Sequence, residues 1–324
     1  PATTRATMLG AFAGLALALT AISLLEYFDN SIRSREEIVE IVKAPVLATV
    51  PPAPELSDDE HQLFVLRDSR SAPAEAVRLL RASLEFTRAT GPSTSIVIAS
   101  PGPGEGRSTL TANLGVAMAR AGLETVIIDT DMHRPRQHRI FGLGNENGLS
   151  LLLTHPDQEW RSAAVPLSIP RLTVIPSGPL PPNPSDLLSL DRFDRLLEEI
   201  GHAADIILLD TSPITRTSDA FVVATKADAV ILVSRLGVTR RDALRRATSI
   251  LSQAPVRLVG VVLNQFKGHE GEHQRPQAIP AEAPTAARYF YAKHRTQSRA
   301  VPNGTSSNGT HSADEEQVIA GKHR

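Results

Sequence analysis

Apolar and polar positions fall into three regimes along the chain. From Ala6 to Leu25 (ATMLGAFAGLALALTAISLL) a mostly apolar run carries no charge. As a helix it would rise about 30 Å, the thickness of a bilayer's hydrocarbon core. It is longer than the roughly 7–15 residues of a signal-peptide core, so the pattern predicts a transmembrane helix at 6–25. Between about Glu75 and Lys267, short near-continuous apolar runs alternate with segments of helical periodicity. Strands are predicted at Ser95–Ala99, Thr125–Ile128, Asp205–Leu209, Ala229–Ser234 and Leu258–Leu263. Helices are predicted at Glu75–Arg88, Ser108–Ala121, Leu187–Ile200 and Asp242–Gln253. Strands apolar on both faces that alternate with helices predict an α/β fold, a doubly wound parallel sheet covered on each side. From Gly268 to Arg324 the periodicity stops and Pro, Ala, Ser, Asn, Gly and His dominate, which predicts a disordered tail at 268–324.

The boundaries follow from punctuation and charge. Residues 26–73 read as a juxtamembrane segment and linker, in which Pro51, Pro52 and Pro54 open a polar stretch that closes near Pro73. The sheet domain is then expected over 74–267. Arg33, Arg35 and Lys43 follow the apolar run while Arg5 alone precedes it, and this positive-inside asymmetry places the C-terminal bulk in the cytoplasm. Gly10, Gly14 and Ala18 form a stripe of small residues along which another helix could approach.

Composition narrows the chemistry. The 34 Lys and Arg balance 35 Asp and Glu, so no basic field suggests nucleic acid as a partner. The absence of cysteine excludes disulfide scaffolds, thiolate chemistry and Cys-ligated metals. Candidate chemistry begins at Pro101-Gly102-Pro103-Gly104-Glu105-Gly106-Arg107-Ser108-Thr109, a turn between a predicted strand and helix. A phosphate loop must lie there for its backbone N–H groups and the helix N-terminus to face phosphates. Against the pattern GxxxxGK(S/T), Gly106 and Ser108 match, Pro101 stands at the first position and Arg107 replaces the lysine. Two further strands end in acid, at Asp129-Thr130-Asp131 and at Asp210-Thr211-Ser212-Pro213. Carboxylates at C-terminal strand ends lie where open α/β sheets bind ligands. Together with the Ser108 hydroxyl they are the kind of groups that hold magnesium beside the β- and γ-phosphates; the alternative is that Asp129 and Asp210 merely cap the turns that follow.

These residues and their flanks resemble the bacterial tyrosine kinases (BY-kinases) of the polysaccharide co-polymerase type, which regulate capsular or exopolysaccharide chain length and export. The likeness runs from about residue 6 to residue 266 and includes Glu26 to Ser34 and Ala44 to Pro51. It implies a P-loop NTPase-like domain that uses ATP and Mg2+ on the inner face of a bacterial membrane. Relatives place an extracytoplasmic domain before this helix, so the chain resembles the C-terminal portion of a longer architecture or a variant lacking it. The resemblance assigns Gly104, Glu105, Gly106, Arg107, Ser108 and Thr109 to the phosphates and Asn264 to the neighbourhood of the adenine. It assigns Ser108, Asp129 and, through water, Asp210 to the metal, and Asp129 and Asp131, with Arg107, to catalysis. Glu75, Arg78 and Arg81 match an E-x-x-R-x-x-R motif that joins neighbouring kinase domains into a ring; the alternative is an ordinary intrahelical ion pair. Further implied partners are the polysaccharide export and polymerisation machinery and a phosphotyrosine phosphatase.

Relatives phosphorylate themselves on a C-terminal tyrosine cluster. Tyrosine occurs here at Tyr27, Tyr289 and Tyr291 only, so the acceptors map to Tyr289 and Tyr291. Arg107 keeps the charge of the family's lysine and changes its shape, because guanidinium is planar and fork-like where ammonium is compact. His133 likewise stands where arginine is usual, and Ser212 replaces a proline. Two alternatives follow: a nucleotide-binding scaffold without phosphoryl transfer, and a membrane-associated ATPase of the partitioning type.

Overall fold

The computed structural model describes residues 10, 12–20, 30–53, 62–88 and 95–265. Eight strands form one sheet: β1 (Val46–Val50), β2 (Ser95–Ala99), β3 (Thr125–Asp129), β4 (Val165–Pro166), β5 (Leu172–Ile175), β6 (Ile206–Asp210), β7 (Ala229–Arg235) and β8 (Leu258–Asn264). Their spatial order is β1-β8-β7-β2-β6-β3-β5-β4. All neighbours pair in parallel except the short edge strand β4, which is antiparallel to β5.

The strands are apolar throughout because consecutive residues feed two separate cores. Val97, Ala99, Val126, Ile128, Ile207 and Leu209 pack into one layer, while Ile96, Ile98, Ile127, Ile206 and Leu208 pack into the other. Helices α1 (Arg35–Val42), α6 (Leu149–Thr154), α7 (Pro184–Ser189), α8 (Asp191–Gly201), α9 (Asp219–Lys226) and α10 (Arg241–Leu251) contribute to the first layer. Helices α2 (Phe64–Arg67), α3 (Ala72–Arg88) and α4 (Arg107–Arg120) contribute to the second. A short helix, α5 (Gln137–Ile140), follows β3.

The sheet extends N-terminally past the boundary expected at residue 74. β1 pairs with β8 through Val46, Ala48, Thr49 and Val50, and Phe64 and Val65 are buried against α3 and α4. Ile32 is fully buried; its amide donates to Thr239 O (2.9 Å) and its carbonyl accepts from Gly237 N (2.8 Å). Much of the expected linker is therefore part of the domain. Its short apolar runs, separated by prolines and charges, carried too little periodicity to reveal this. Of the apolar run at 6–25, residue 10 and residues 12–20 are helical, with Phe12, Leu15, Leu17 and Leu19 exposed. The rest of it lies outside the described residues, and among the described residues no helix is long and apolar enough to cross a membrane. The tail at 268–324, with Tyr289 and Tyr291, also lies outside them.

Chain direction places the site. From β2 the chain runs through α4 to β3 on one side, whereas from β7 it runs through α10 to β8 on the other. The connections diverge between β2 and β7, and loops at the carboxyl ends of strands open into a crevice at such a point.

Candidate nucleotide-binding and active site

The loop after β2 fills that crevice. Gly104 and Gly106 have φ of 77° and 84°, backbone that side chains rarely adopt. Gly106 caps α4 without a side-chain cap bond, which leaves first-turn amides available to an anion. The loop is held from outside: Ile214 N donates to Ser100 O (2.9 Å) and Thr215 Oγ1 donates to Pro101 O (2.7 Å). Asn264 Nδ2, at the end of β8, donates to Glu105 O (2.8 Å) while Asn264 Oδ1 accepts from Gln265 N (3.0 Å). Asn264 thus clamps the phosphate loop, and both ends of its amide are engaged.

Around the loop lies a cavity of about 850 Å3. Its wall includes Gly104, Glu105, Gly106, Arg107, Ser108, Thr109, Asp131 and Asn264, all expected site residues. Asp129 and Asp210 are not in the wall; both are fully buried behind it. The Thr109 hydroxyl donates to Gln62 Oε1 (2.7 Å), turned to the segment before α2.

Arg107 organises the acidic strand ends. Its Nε donates to Asp210 Oδ1 (2.9 Å), one terminal nitrogen to Asp131 Oδ2 (2.8 Å) and the other to Ser100 Oγ (3.2 Å). Asp210 Oδ2 accepts from Gln137 Nε2 (2.7 Å), and Asp131 Oδ1 accepts from the amides of His133 (3.2 Å) and Arg134 (3.0 Å). Asp129 serves its own turn: Oδ2 accepts from the amides of Arg136 and Gln137 (both 2.9 Å), capping α5, and Oδ1 accepts from Asp131 N (3.2 Å). Burial, reinforced by the neighbouring Asp210 and Asp131 charges, pushes the Asp129 carboxyl well above the usual carboxylate range, against the pull of its two amide donors. Burial also lifts Glu105 to about 7, partly offset by its bond from Thr239 Oγ1 (2.8 Å).

The aspartates are turned to protein donors rather than to a site in which carboxylates alone hold magnesium directly; in the expected set Asp210 reaches the metal through water. Each of their six oxygens accepts at least one protein hydrogen bond, and a guanidinium bridges Asp131 and Asp210. Among the described residues no group of three or more His, Asp or Glu is disposed to hold a metal. Of the expected set, only Ser108 reaches the cavity wall.

Sequence reasoning missed Gln137, which joins Asp210 to the Ser108 carbonyl (3.1 Å), and Gln62, Thr239, Ser100, Arg134, Arg136, Arg216 and Arg235. Several of these basic residues line the cavity. The Arg134-Pro135-Arg136 run after the second acidic strand end was the one available signal; the others come from distant segments. His133 Nε2 lies 2.8 Å from Asp219 Oδ2, so it leans on α9. On α3, Arg78 pairs with Glu75 within the helix and Arg81 Nη1 donates to Glu85 Oε1 (2.6 Å), as in the intrahelical alternative.

A glycine-rich loop between a buried strand and a helix, at the divergence point of a parallel sheet, defines a phosphate-loop nucleotide-binding protein. The description "CobQ/CobB/MinD/ParA nucleotide binding domain" matches residues 96–286, more than half of the chain. The tyrosine-protein kinase YwqD of Bacillus subtilis strain 168 is 34% identical over 209 residues, covering 64% of this chain and 87% of that protein. Two solved structures align closely. The kinase domain of the Escherichia coli tyrosine kinase ETK has a TM-score of 0.67 at 27% identity, over 76% of this chain and 98% of that one. The chimerical protein CapA2B2 has a TM-score of 0.66 at 31% identity, over 72% and 99%. The chain belongs to the CobQ/CobB/MinD/ParA nucleotide-binding family and, within it, to the bacterial tyrosine-protein kinases.

Proposed function

We propose that this chain is an ATP-dependent protein-tyrosine kinase that acts on Tyr289 and Tyr291 of its own or a neighbouring tail. The observation that carries the reading is the cavity with the phosphate loop on one wall and Asp131 beside it, in a chain that aligns with 87% of a tyrosine-protein kinase. ATP supplies the γ-phosphoryl group. The bond from the γ-phosphorus to the β,γ-bridging oxygen breaks, a bond to the tyrosine Oη forms, and the phenolic proton passes to a base. Asp131 suits the base role because it alone of the three aspartates reaches the wall. Asp129, held by amides and biased toward its neutral form, is a structural cap. Positioning and charge neutralisation supply most of the catalysis in such transfers. Magnesium would enter with the nucleotide rather than on a preformed carboxylate site.

This reading extends to the setting. The kinase domain sits on the inner face of a bacterial membrane, anchored by the helix at 6–25, and steers capsular or exopolysaccharide assembly with its export machinery and a phosphotyrosine phosphatase. Glu75, Arg78 and Arg81 join copies into a ring; they are partly or well exposed, and Leu79 beside them is exposed as well. Replacing all three by Ala shifts the assembled protein toward monomer in sedimentation velocity. An unchanged sedimentation coefficient assigns the motif to intrahelical pairing.

The activity is tested by incubating the protein with ATP and magnesium and mapping phosphate by mass spectrometry. Phosphotyrosine is expected at 289 and 291 and is lost in Tyr289→Phe/Tyr291→Phe. Nucleotide binding without phosphotyrosine favours the scaffold reading.

A further inference from the structure

We propose that Arg107 is a built-in cation of this phosphate site, standing where a divalent metal would otherwise link the acidic strand ends, so that nucleotide binding depends little on magnesium. The inference deepens the nucleotide-binding reading and rests on it.

Three features carry it. The guanidinium binds groups from three places at once: Ser100 at the end of β2, Asp131 just past β3 and Asp210 at the end of β6. These are the strand ends on which nucleotide and metal converge in such folds. The residue is also only 8% exposed, so the guanidinium is held inside the site rather than in solvent. Finally, the partners are themselves fixed, Asp210 by Gln137 and Asp131 by the amides of His133 and Arg134. Swinging Arg107 out toward phosphates would leave two buried carboxylates without their counter-ion, a costly state.

A lysine in this position could not do the same. Its compact ammonium carries three donors at a single point and bridges acceptors only where they converge, whereas the planar fork reaches separated carboxylates with separate N–H groups. The cavity wall supplies further positive charge through Arg134, Arg216 and Arg235, and the uncapped start of α4 adds amides. A polyphosphate thus meets charge compensation that the protein carries itself. Arg107 is accordingly a positioning residue: it holds Asp131 and Asp210 in place and offsets one of their two negative charges before nucleotide arrives.

The test is calorimetric titration of the whole protein with a non-hydrolysable ATP analogue, once with magnesium and once with EDTA, for the wild type and Arg107→Lys. Wild-type affinity should change by less than about threefold between the two conditions, whereas Arg107→Lys should lose about tenfold or more in EDTA. A parallel readout needs no nucleotide: magnesium alone should raise the melting temperature of Arg107→Lys and leave the wild type unmoved. A wild-type loss of about tenfold or more in EDTA overturns the inference, as does identical metal dependence in both proteins. Absence of wild-type binding in both conditions overturns the nucleotide reading itself. If Arg107→Lys does not fold, the wild-type comparison alone decides.

Discussion

Asp210→Ala is expected to lower unfolding stability by about 3–5 kcal/mol, the usual cost of removing one partner from a buried ion pair. Asp210 is fully buried and accepts from both Arg107 Nε and Gln137 Nε2. Its loss leaves a buried guanidinium with one carboxylate and a buried amide with one partner fewer. Arg107 keeps Asp131 as its counter-ion, so the loss is carried by the two buried hydrogen bonds to the Asp210 carboxylate, about 1.5–3 kcal/mol each. Urea unfolding reads this as a lower midpoint at unchanged slope. A double variant, Arg107→Met/Asp210→Leu, should recover part of the loss, because replacing a buried pair by apolar groups is often neutral or stabilising. A drop of less than about 1 kcal/mol for the single variant would show that water replaces the lost bonds and that the cluster is not one unit.

Gly106→Ala is expected to weaken nucleotide binding by more than about tenfold. Two costs coincide there. The backbone has φ of 84°, which costs a residue with a Cβ about 1–2 kcal/mol. A Cβ at this position would also overlap Asn264 Nδ2, the atom that clamps the loop through Glu105 O. Gly104→Ala separates the two effects: its φ is 77°, yet an added Cβ meets nothing within 4 Å. It should therefore show the backbone cost alone and bind more tightly than Gly106→Ala. Equal affinities for the two variants would remove Asn264 from the account of the site.

Much of the architecture was legible in the residue pattern, and the reason is local. β2, β3, β6 and β7 are apolar almost without break because they are covered on both faces, and that signal survives in a single sequence. The phosphate loop was legible because glycines with positive φ sit in a fixed strand-turn-helix context. β1 was not recognised as a sheet strand, because five residues after a short helix and before two prolines carry no periodicity that separates an edge strand from a linker. β4 and β5 were missed for the same shortness. Asp129 and Asp210 were both read as strand-end acids near the metal, which their positions justify. Their different environments, one capped by amides of its own turn and the other paired with Arg107, arise from side-chain directions that spacing does not encode.

By itself the sequence determined the class of fold, the place of the phosphate loop, the acidic ends of two central strands and the position of Arg107, where the loop's lysine is replaced. These follow from hydrophobic burial and backbone preference over a few neighbouring residues. Only the tertiary structure decided what Arg107 does. Its partners lie at positions 100, 131 and 210, brought together because β2, β6 and β3 are adjacent in the sheet. A buried cation there takes whichever carboxylates the packing offers, since leaving either side unpaired costs more than the cluster can recover elsewhere.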